Sequence, residues 1–242
     1  ATLAVLPHGT GNDFCRTIGV PLDPLAAADL LTTGTPRALD AVKIEGAPSP
    51  FLVNVATGGF SGQVAAEVTP ELKATWGPLA YLRGAIGTAV NPLTFRLAVR
   101  FDGGRVKEFD VINVVVANAR TAAGGFPVAP TADPEDGLLD VVFVRAGDAL
   151  DLGVVAARLM HGDYTHDENV AHFRARAVEI ASDPPLPWSL DGERCEGARL
   201  TFTVLPGALR VLTGPDYRRT PAPDAPLEAE DAPEHPTRPD PG

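Results

Sequence analysis

Three short stretches of this 242-residue sequence hold more glycine, hydroxyl and carboxylate groups than a core or a plain turn requires. The first is Leu6-Pro7-His8-Gly9-Thr10-Gly11-Asn12-Asp13-Phe14. Gly9 and Gly11 let the backbone approach a ligand closely, and a helix opening near Asn12 would aim unpaired N–H groups and partial positive charge at a phosphate. Thr10 adds a hydroxyl that can reach a phosphate or a nucleobase edge, while Asn12 or Asp13 can equally serve as a simple helix cap. The second stretch, Ala129 to Val141, contains Asp133, Glu135, Asp136 and Asp140 around a proline and a glycine. Such a loop can hold a hard cation through carboxylate and carbonyl oxygens, although its spacing is not that of an EF-hand, and a solvated acidic turn would look the same. The third is Leu190-Asp191-Gly192-Glu193, after the run Pro184-Pro185-Leu186-Pro187-Trp188. A tight turn with two carboxylates can present one as a general base to a hydroxyl; Asp-Gly is also the favoured sequence of a two-residue hairpin turn.

The elements that must position these groups are legible from periodicity. Thr2 to Leu6 reads as a buried strand ending at Pro7, Leu25 to Leu31 as a short helix after Pro24, and Arg37 to Ile44 as an alternating strand. From Phe51 a strand is expected to pass through a Gly58-Gly59 turn into a helix near Ser61, followed by a helix after Pro78 with Leu79, Leu82, Ile86 and Val90 on one face. Beyond Pro92 strands dominate: Leu93 to Phe101 and Val106 to Asn118 around an Asp102-Gly103-Gly104 turn, then Leu139 to Arg145, Ala175 to Ala181, Leu200 to Leu205 and Leu209 to Leu212. One helix, Asp148 to Met160, interrupts them. Many strands with few helices between them predict antiparallel sheets and an α+β chain. Residues 1–39 are expected to be a short α/β piece, 40–214 a β-sandwich, and 215–242 a disordered Pro-rich acidic tail.

The formal net charge of -11 excludes a general nucleic-acid binder, which needs a basic excess to displace phosphate counterions. No uninterrupted apolar run reaches the length of a membrane span, and the first residues lack the pattern of a signal sequence. Two cysteines, Cys15 and Cys195, are too few for a disulfide framework, which fits a cytoplasmic setting.

Considered together and in order, four stretches resemble the bacterial diacylglycerol kinase and YegS-like lipid kinase family. They are LPHGTGNDFCRTIGVP, FLVNVATGGFSGQV, NVVVANARTAAGGFPVAPTADPEDGLLDVVFV and LDGERCEGARLTFTVLPGALRVL, which together span Leu3 to Leu212. The resemblance implies an ATP-binding α/β domain followed by a larger β-sandwich, with the active site between them. It implies that Thr10 touches the nucleotide, with Gly9, Gly11, Asn12 and Asp13 shaping that loop. It implies a Mg²⁺ site at Asp133, Asp136 and Leu138, the first and last through main-chain oxygens, and a base at Glu193 or Asp191. The reaction implied is transfer of the γ-phosphoryl group of ATP to a lipid hydroxyl, diacylglycerol first, by an enzyme that visits the bilayer surface transiently, where the helix from Leu79 to Val90 with Trp76 and Tyr81 could lie.

The sequence departs from the family in one respect: it contains no Gly-Gly-Asp-Gly-Thr run ahead of GTGNDF. The nucleotide domain is therefore expected to be reduced to one strand and its loop, and this chain to be inactive unless that half is supplied. Two other readings stand beside the lipid kinase: a non-catalytic binding domain, and a kinase of the same superfamily with a soluble acceptor such as NAD.

Overall fold

Alternation of apolar and polar residues builds half-buried strands, and unbroken apolar runs build strands covered on both faces; both kinds occur here. The computed structural model describes residues 1–61, 93–147 and 149–219. Two helices, α1 (Asp13–Thr17) and α2 (Pro24–Thr33), precede strands β1 (Thr35–Glu45), β2 (Phe51–Leu52), β3 (Val55–Gly59), β4 (Phe95–Phe101), β5 (Val106–Ala117) and β6 (Leu139–Arg145). A helix α3 (Ala149–His161) then leads to β7 (Val170–Ala175), β8 (Ala177–Leu190) and β9 (Glu193–Thr213). Every strand pairing among these is antiparallel, and the strands run β2-β1-β9-β8-β3-β5-β6-β7 across the sheet. The fold is the expected strand-rich sandwich with few helices.

The lane between β8 and β5 is shared by two strands end to end. β3 pairs with the second half of β5, Gly59 lying opposite Asn113, and with the end of β8. β4 pairs with the first half of β5, Phe95 lying opposite Val111, and with the start of β8. Gly58 and Gly59 are thus strand residues rather than the expected turn. Gly58 has no side chain because Trp188 lies against it: a Cβ there would sit 2.9 Å from the indole Cε3.

One hydrophobic core collects the inward faces of all nine strands, with Phe101, Phe109, Phe143 and Phe173 in mutual ring contact and Trp188 against Phe202. The opposite faces of β5 and β6 are covered by Val155 of α3, Tyr164 and the Ala129–Ala132 loop, which is why those strands read as continuous apolar runs. A third cluster packs α1 and α2, through Cys15, Ile18, Ala27 and Leu30, on Leu39 and Val211. Asp23 caps α2 by accepting from the Ala26 N–H, with Pro24 at the first helical position, where its missing N–H costs nothing.

The structure corrects several boundaries. The Thr2–Leu6 strand expected to be buried makes a single parallel bridge from Leu3 to Val211, and Leu3 and Leu6 are 49% and 48% exposed. Only the β9 side of this segment is paired among the described residues, and a parallel strand is buried only when covered on both sides. The strand expected at Ala175–Ala181 is two strands, because the backbone N–H groups of Arg176 and Ala177 turn to the Asp102 carboxylate. β8 then continues through three prolines, which the ladder accommodates by losing register with β9 between Ala181 and Leu186. The strands expected at Leu200–Leu205 and Leu209–Leu212 are one strand, β9, because Pro206, Gly207 and Ala208 bulge opposite the single residue Asp40 of β1 instead of forming a turn. Residues 215–219, placed in the expected tail, lie on the fold, with Tyr217 only 8% exposed. The expected helix from Leu79 to Val90 and residues 220–242 fall outside the described residues.

Candidate active site

The Asp-Gly turn joins β8 to β9. Leu190 faces Glu193 in the ladder, and Asp191 and Gly192 both take left-handed conformations (φ 49° and 92°), as a two-residue hairpin of this sequence requires. The Asp191 side chain folds back onto the start of β3. Its carboxylate accepts the backbone N–H groups of Val53 (2.8 Å), Asn54 (3.1 Å) and Val55 (2.9 Å), while its own N–H donates to the Val55 carbonyl. Burial pushes this carboxyl above its ordinary range against the pull of the three N–H groups. The three main-chain donors hold both carboxylate oxygens against the start of β3. Glu193 is exposed and takes part in none of these bonds to the start of β3.

From Asp191 the hydrogen bonds lead to the glycine loop. The buried Asn54 donates from Nδ2 to the Thr121 carbonyl (2.9 Å), and Thr121 Oγ1 donates to the Asp13 carbonyl (3.3 Å). The Asp13 carboxylate accepts the N–H groups of Gly124 (3.0 Å) and Gly125 (2.7 Å), both at positive φ. Asn12, left-handed itself, closes the loop by exchanging two hydrogen bonds with the main chain of Gly9. Neither Asn12 nor Asp13 is therefore a side-chain cap of α1: one shapes the loop and the other fastens it to the sandwich. Arg16 Nε donates to the Gly11 carbonyl, and Thr10 is exposed at the loop tip.

The acidic loop between Ala129 and Asp140 joins the same frame. Asn118 donates from Nδ2 to the carbonyls of Val53 (2.9 Å) and Asp40 (3.1 Å), and the Asp40 N–H donates to the Pro134 carbonyl (2.7 Å). The Asp40 carboxylate accepts the N–H groups of Gly137 (2.8 Å) and Gly207 (2.7 Å). Within the loop, Asp133 is buried and accepts the Glu135 N–H (3.0 Å) and Arg219 Nε (3.1 Å). Asp136 accepts the Leu138 N–H (2.9 Å) and pairs with Arg174. Burial pushes Asp136 up to about 6, against the opposing guanidinium. Glu135 is held below the ordinary carboxylate range, first by its two hydrogen bonds from Arg37. Asp140, fully buried, accepts from Thr131 Oγ1 and lies 2.7 Å from His172 Nε2.

Among the described residues no group of three or more His, Cys, Asp or Glu side chains is gathered to hold a metal ion. Asp133, Asp136 and the Leu138 carbonyl nevertheless offer only oxygen donors, which is the donor chemistry a hard divalent cation takes. The positive charge these buried carboxylates require is supplied here by Arg219 and Arg174. The loop thus fits a Mg²⁺-type ion in donor type and charge, with two guanidinium groups as competitors.

The structure ties the base turn and the glycine loop to one short frame of Asn54, Asn118 and Thr121, and connects the acidic loop through Asp40. Sequence reasoning did not single out Asp40, Asn54, Asn118 or Arg174. The available signal was a polar residue inside an apolar run, as in Phe51-Leu52-Val53-Asn54-Val55 and Val114-Val115-Val116-Ala117-Asn118, since a buried polar side chain must have partners.

Comparison with known proteins gives concordant matches. The model of the YegS C-terminal NAD kinase beta sandwich-like domain matches residues 53–213, and that of the diacylglycerol kinase catalytic domain residues 1–44. A Pseudomonas fluorescens protein named "Probable lipid kinase YegS-like" is 37% identical over 211 residues, covering 87% of this chain and 68% of the relative. Its counterpart in Stenotrophomonas maltophilia is 34% identical with the same coverage. Among solved structures, a diacylglycerol kinase of Bacillus anthracis superposes with a TM-score of 0.71 at 26% identity, covering 88% of this chain and 69% of that one.

Proposed function

The chain belongs to the family of YegS-like lipid kinases, and on that premise we propose that it serves in transfer of the γ-phosphoryl group of ATP to the hydroxyl of a diacylglycerol-like lipid, with Glu193 as the base. The observation that carries the assignment of the base is the engagement of Asp191 by three main-chain N–H groups. Asp191 fixes the turn, and the exposed Glu193 beside it keeps its carboxylate lone pairs for an incoming hydroxyl.

Phosphoryl transfer proceeds through a loose, highly charged transition state, so the protein's contribution is mainly positioning and charge stabilisation. In this chain the Gly9–Asp13 loop would bind the nucleotide, Thr10 presenting its hydroxyl. Asp13 holds that loop to the Gly124-Gly125 main chain, which keeps it in fixed relation to the Asp191 turn. Glu193 Oε would accept the proton of the acceptor hydroxyl as its oxygen bonds to the γ-phosphorus and the bond from that phosphorus to the bridging oxygen breaks, releasing ADP. Asp133, Asp136 and the Leu138 carbonyl would hold Mg²⁺, which supplies positive charge and rigid oxygen coordination to the acidic loop. The acceptor is dissolved in a bilayer, so the protein would work from its surface. No helix among the described residues is long and apolar enough to cross a membrane.

The sequence has no Gly-Gly-Asp-Gly-Thr run, so the test uses this chain alone and the chain preceded by a nucleotide domain that carries one. Each is incubated with labelled ATP, Mg²⁺ and diacylglycerol in mixed micelles. Labelled phosphatidic acid is expected from the joined form, with none from the chain alone. Transfer by the joined form to NAD instead of lipid would overturn the proposed acceptor.

A further inference from the structure

The glycine loop carries one fixed positive charge. Arg16 is the sole lysine or arginine in residues 1–36, a stretch that also holds Asp13, Asp23 and Asp29. Its Nε donates to the Gly11 carbonyl (3.2 Å), and a Cβ at Gly125 would lie 3.6 Å from its Cδ and Nε and 3.7 Å from its Cζ. The guanidinium therefore rests between the glycine loop and the Gly124-Gly125 turn. Asp13, three residues earlier and within reach of an ion pair on a helix, turns its carboxylate to the N–H groups of Gly124 and Gly125 instead. Among the described residues nothing engages Nη1 or Nη2 of Arg16, which is exposed. The next cation along the chain, Arg37, is by contrast committed to Glu135 through Nε and Nη2.

We propose that Arg16 is the guanidinium that takes the γ-phosphoryl oxygens of the nucleotide, its two Nη groups forming the fork and its Nε bond to Gly11 fixing the fork's direction. This rests on the reading that the Gly9–Asp13 loop takes ATP. A guanidinium edge with two N–H donors matches two oxygens of a phosphate, and Arg16 has one edge pinned and the Nη edge without a partner. A highly charged anion beside Asp13, in a chain of net charge -11, needs a fixed cation, and Arg16 is the one that the loop itself supplies. The choice of phosphate follows from the turn on which the guanidinium rests. Asp13 fastens that turn to the loop, and Thr121 and Asn54 link Asp13 to the residues held by Asp191. Arg16 thus stands where the glycine loop is joined to the base turn, and the end of the nucleotide that must meet the acceptor there is the γ-phosphoryl group.

The experiment uses this chain preceded by a nucleotide domain, as wild type, Arg16→Ala, Arg16→Gln and Arg16→Lys. Dissociation constants for ATP and for ADP are measured by calorimetry with Mg²⁺ and without lipid, and kcat and KM for transfer are measured with lipid. Arg16→Ala is expected to weaken ATP about tenfold to a hundredfold, the size of lost charge-assisted hydrogen bonds, and ADP less than about twofold, with a fall in kcat. Arg16→Lys, which keeps the charge without the fork, should regain part of the ATP affinity. Arg16→Gln, which keeps a donor for the Gly11 carbonyl, measures the same ratio should the alanine variant fold poorly. Equal weakening of ATP and ADP would mean that Arg16 only shapes the loop through Gly11, and overturns the proposal. Unchanged ATP affinity overturns it as well. In both cases phosphoryl transfer by the wild type leaves the kinase reading standing. Failure of the wild type to bind either nucleotide removes the nucleotide reading of the loop, and the role of Arg16 with it.

Discussion

The two carboxylates on either side of Gly192 differ in their partners. Asp191 gives both oxygens to main-chain donors, and Glu193 stands in solvent. Replacing each should therefore give different phenotypes. Glu193→Gln is expected to lower kcat of the joined enzyme by about 10²–10⁴, the usual range for loss of a general base, with ATP binding and melting temperature unchanged. Asp191→Ala strands three N–H groups and should cost about 2–4 kcal/mol of stability, read as a shifted urea midpoint. Glu135 allows a pH prediction. Its carboxyl lies below the ordinary value of 4.5, held there first by Arg37. A depressed carboxyl contributes stability above its unfolded-state pKa and loses it as pH falls through the lowered folded value. The wild type should lose stability below about pH 4.5 more steeply than Glu135→Gln, in unfolding midpoints measured from pH 6 to 3.

Strands, not helices, set the precision of the site. β3 begins where Asp191 fastens residues 53–55 and carries Gly58 under Trp188, so one short strand holds both the Asp191 turn and a close contact in the core. Gly58→Ala would press its methyl into the indole and Val114 and is expected to cost about 1–3 kcal/mol, the usual cost of overpacking. Thermal denaturation would show it, and an unchanged melting temperature would mean that Trp188 has room to move. The β9 bulge opposite Asp40 has a comparable role: the Asp40 carboxylate accepts from Gly137 and Gly207 there and ties the acidic loop to β1 and β9.

For the molecule as a whole, the sequence revealed more of the architecture than of the site. The β4–β5 hairpin, β6, α2 and α3 follow from periodicity and turn residues, because their signals are local. The single long β9 and the split at Arg176 did not, since pairing with a distant strand across a bulge and a side chain 74 residues away decide them. The motifs singled out the glycine loop, the acidic loop and the Asp-Gly turn, which the hydrogen bonds of the fold connect. What remained hidden was the frame of Asn54, Asn118 and Asp40, which consists of hydrogen bonds between residues far apart in sequence.

The lane shared by β3 and β4 bears on how such a protein can diversify. Gly59 and Phe95 face β5 at Asn113 and Val111, so Phe95 stands almost where an unbroken strand would have its next residues. Residues 60–94 are a splice between these two strands, whose pairings with β5 and β8 lie on either side of it. Replacing 60–94 by a two-residue link should leave the sandwich folded, with near-native circular dichroism and cooperative melting. Loss of cooperative melting would show that the splice also bears weight. If it does not, evolution has been free to exchange this cassette, retuning what the enzyme meets while its scaffold stays the same.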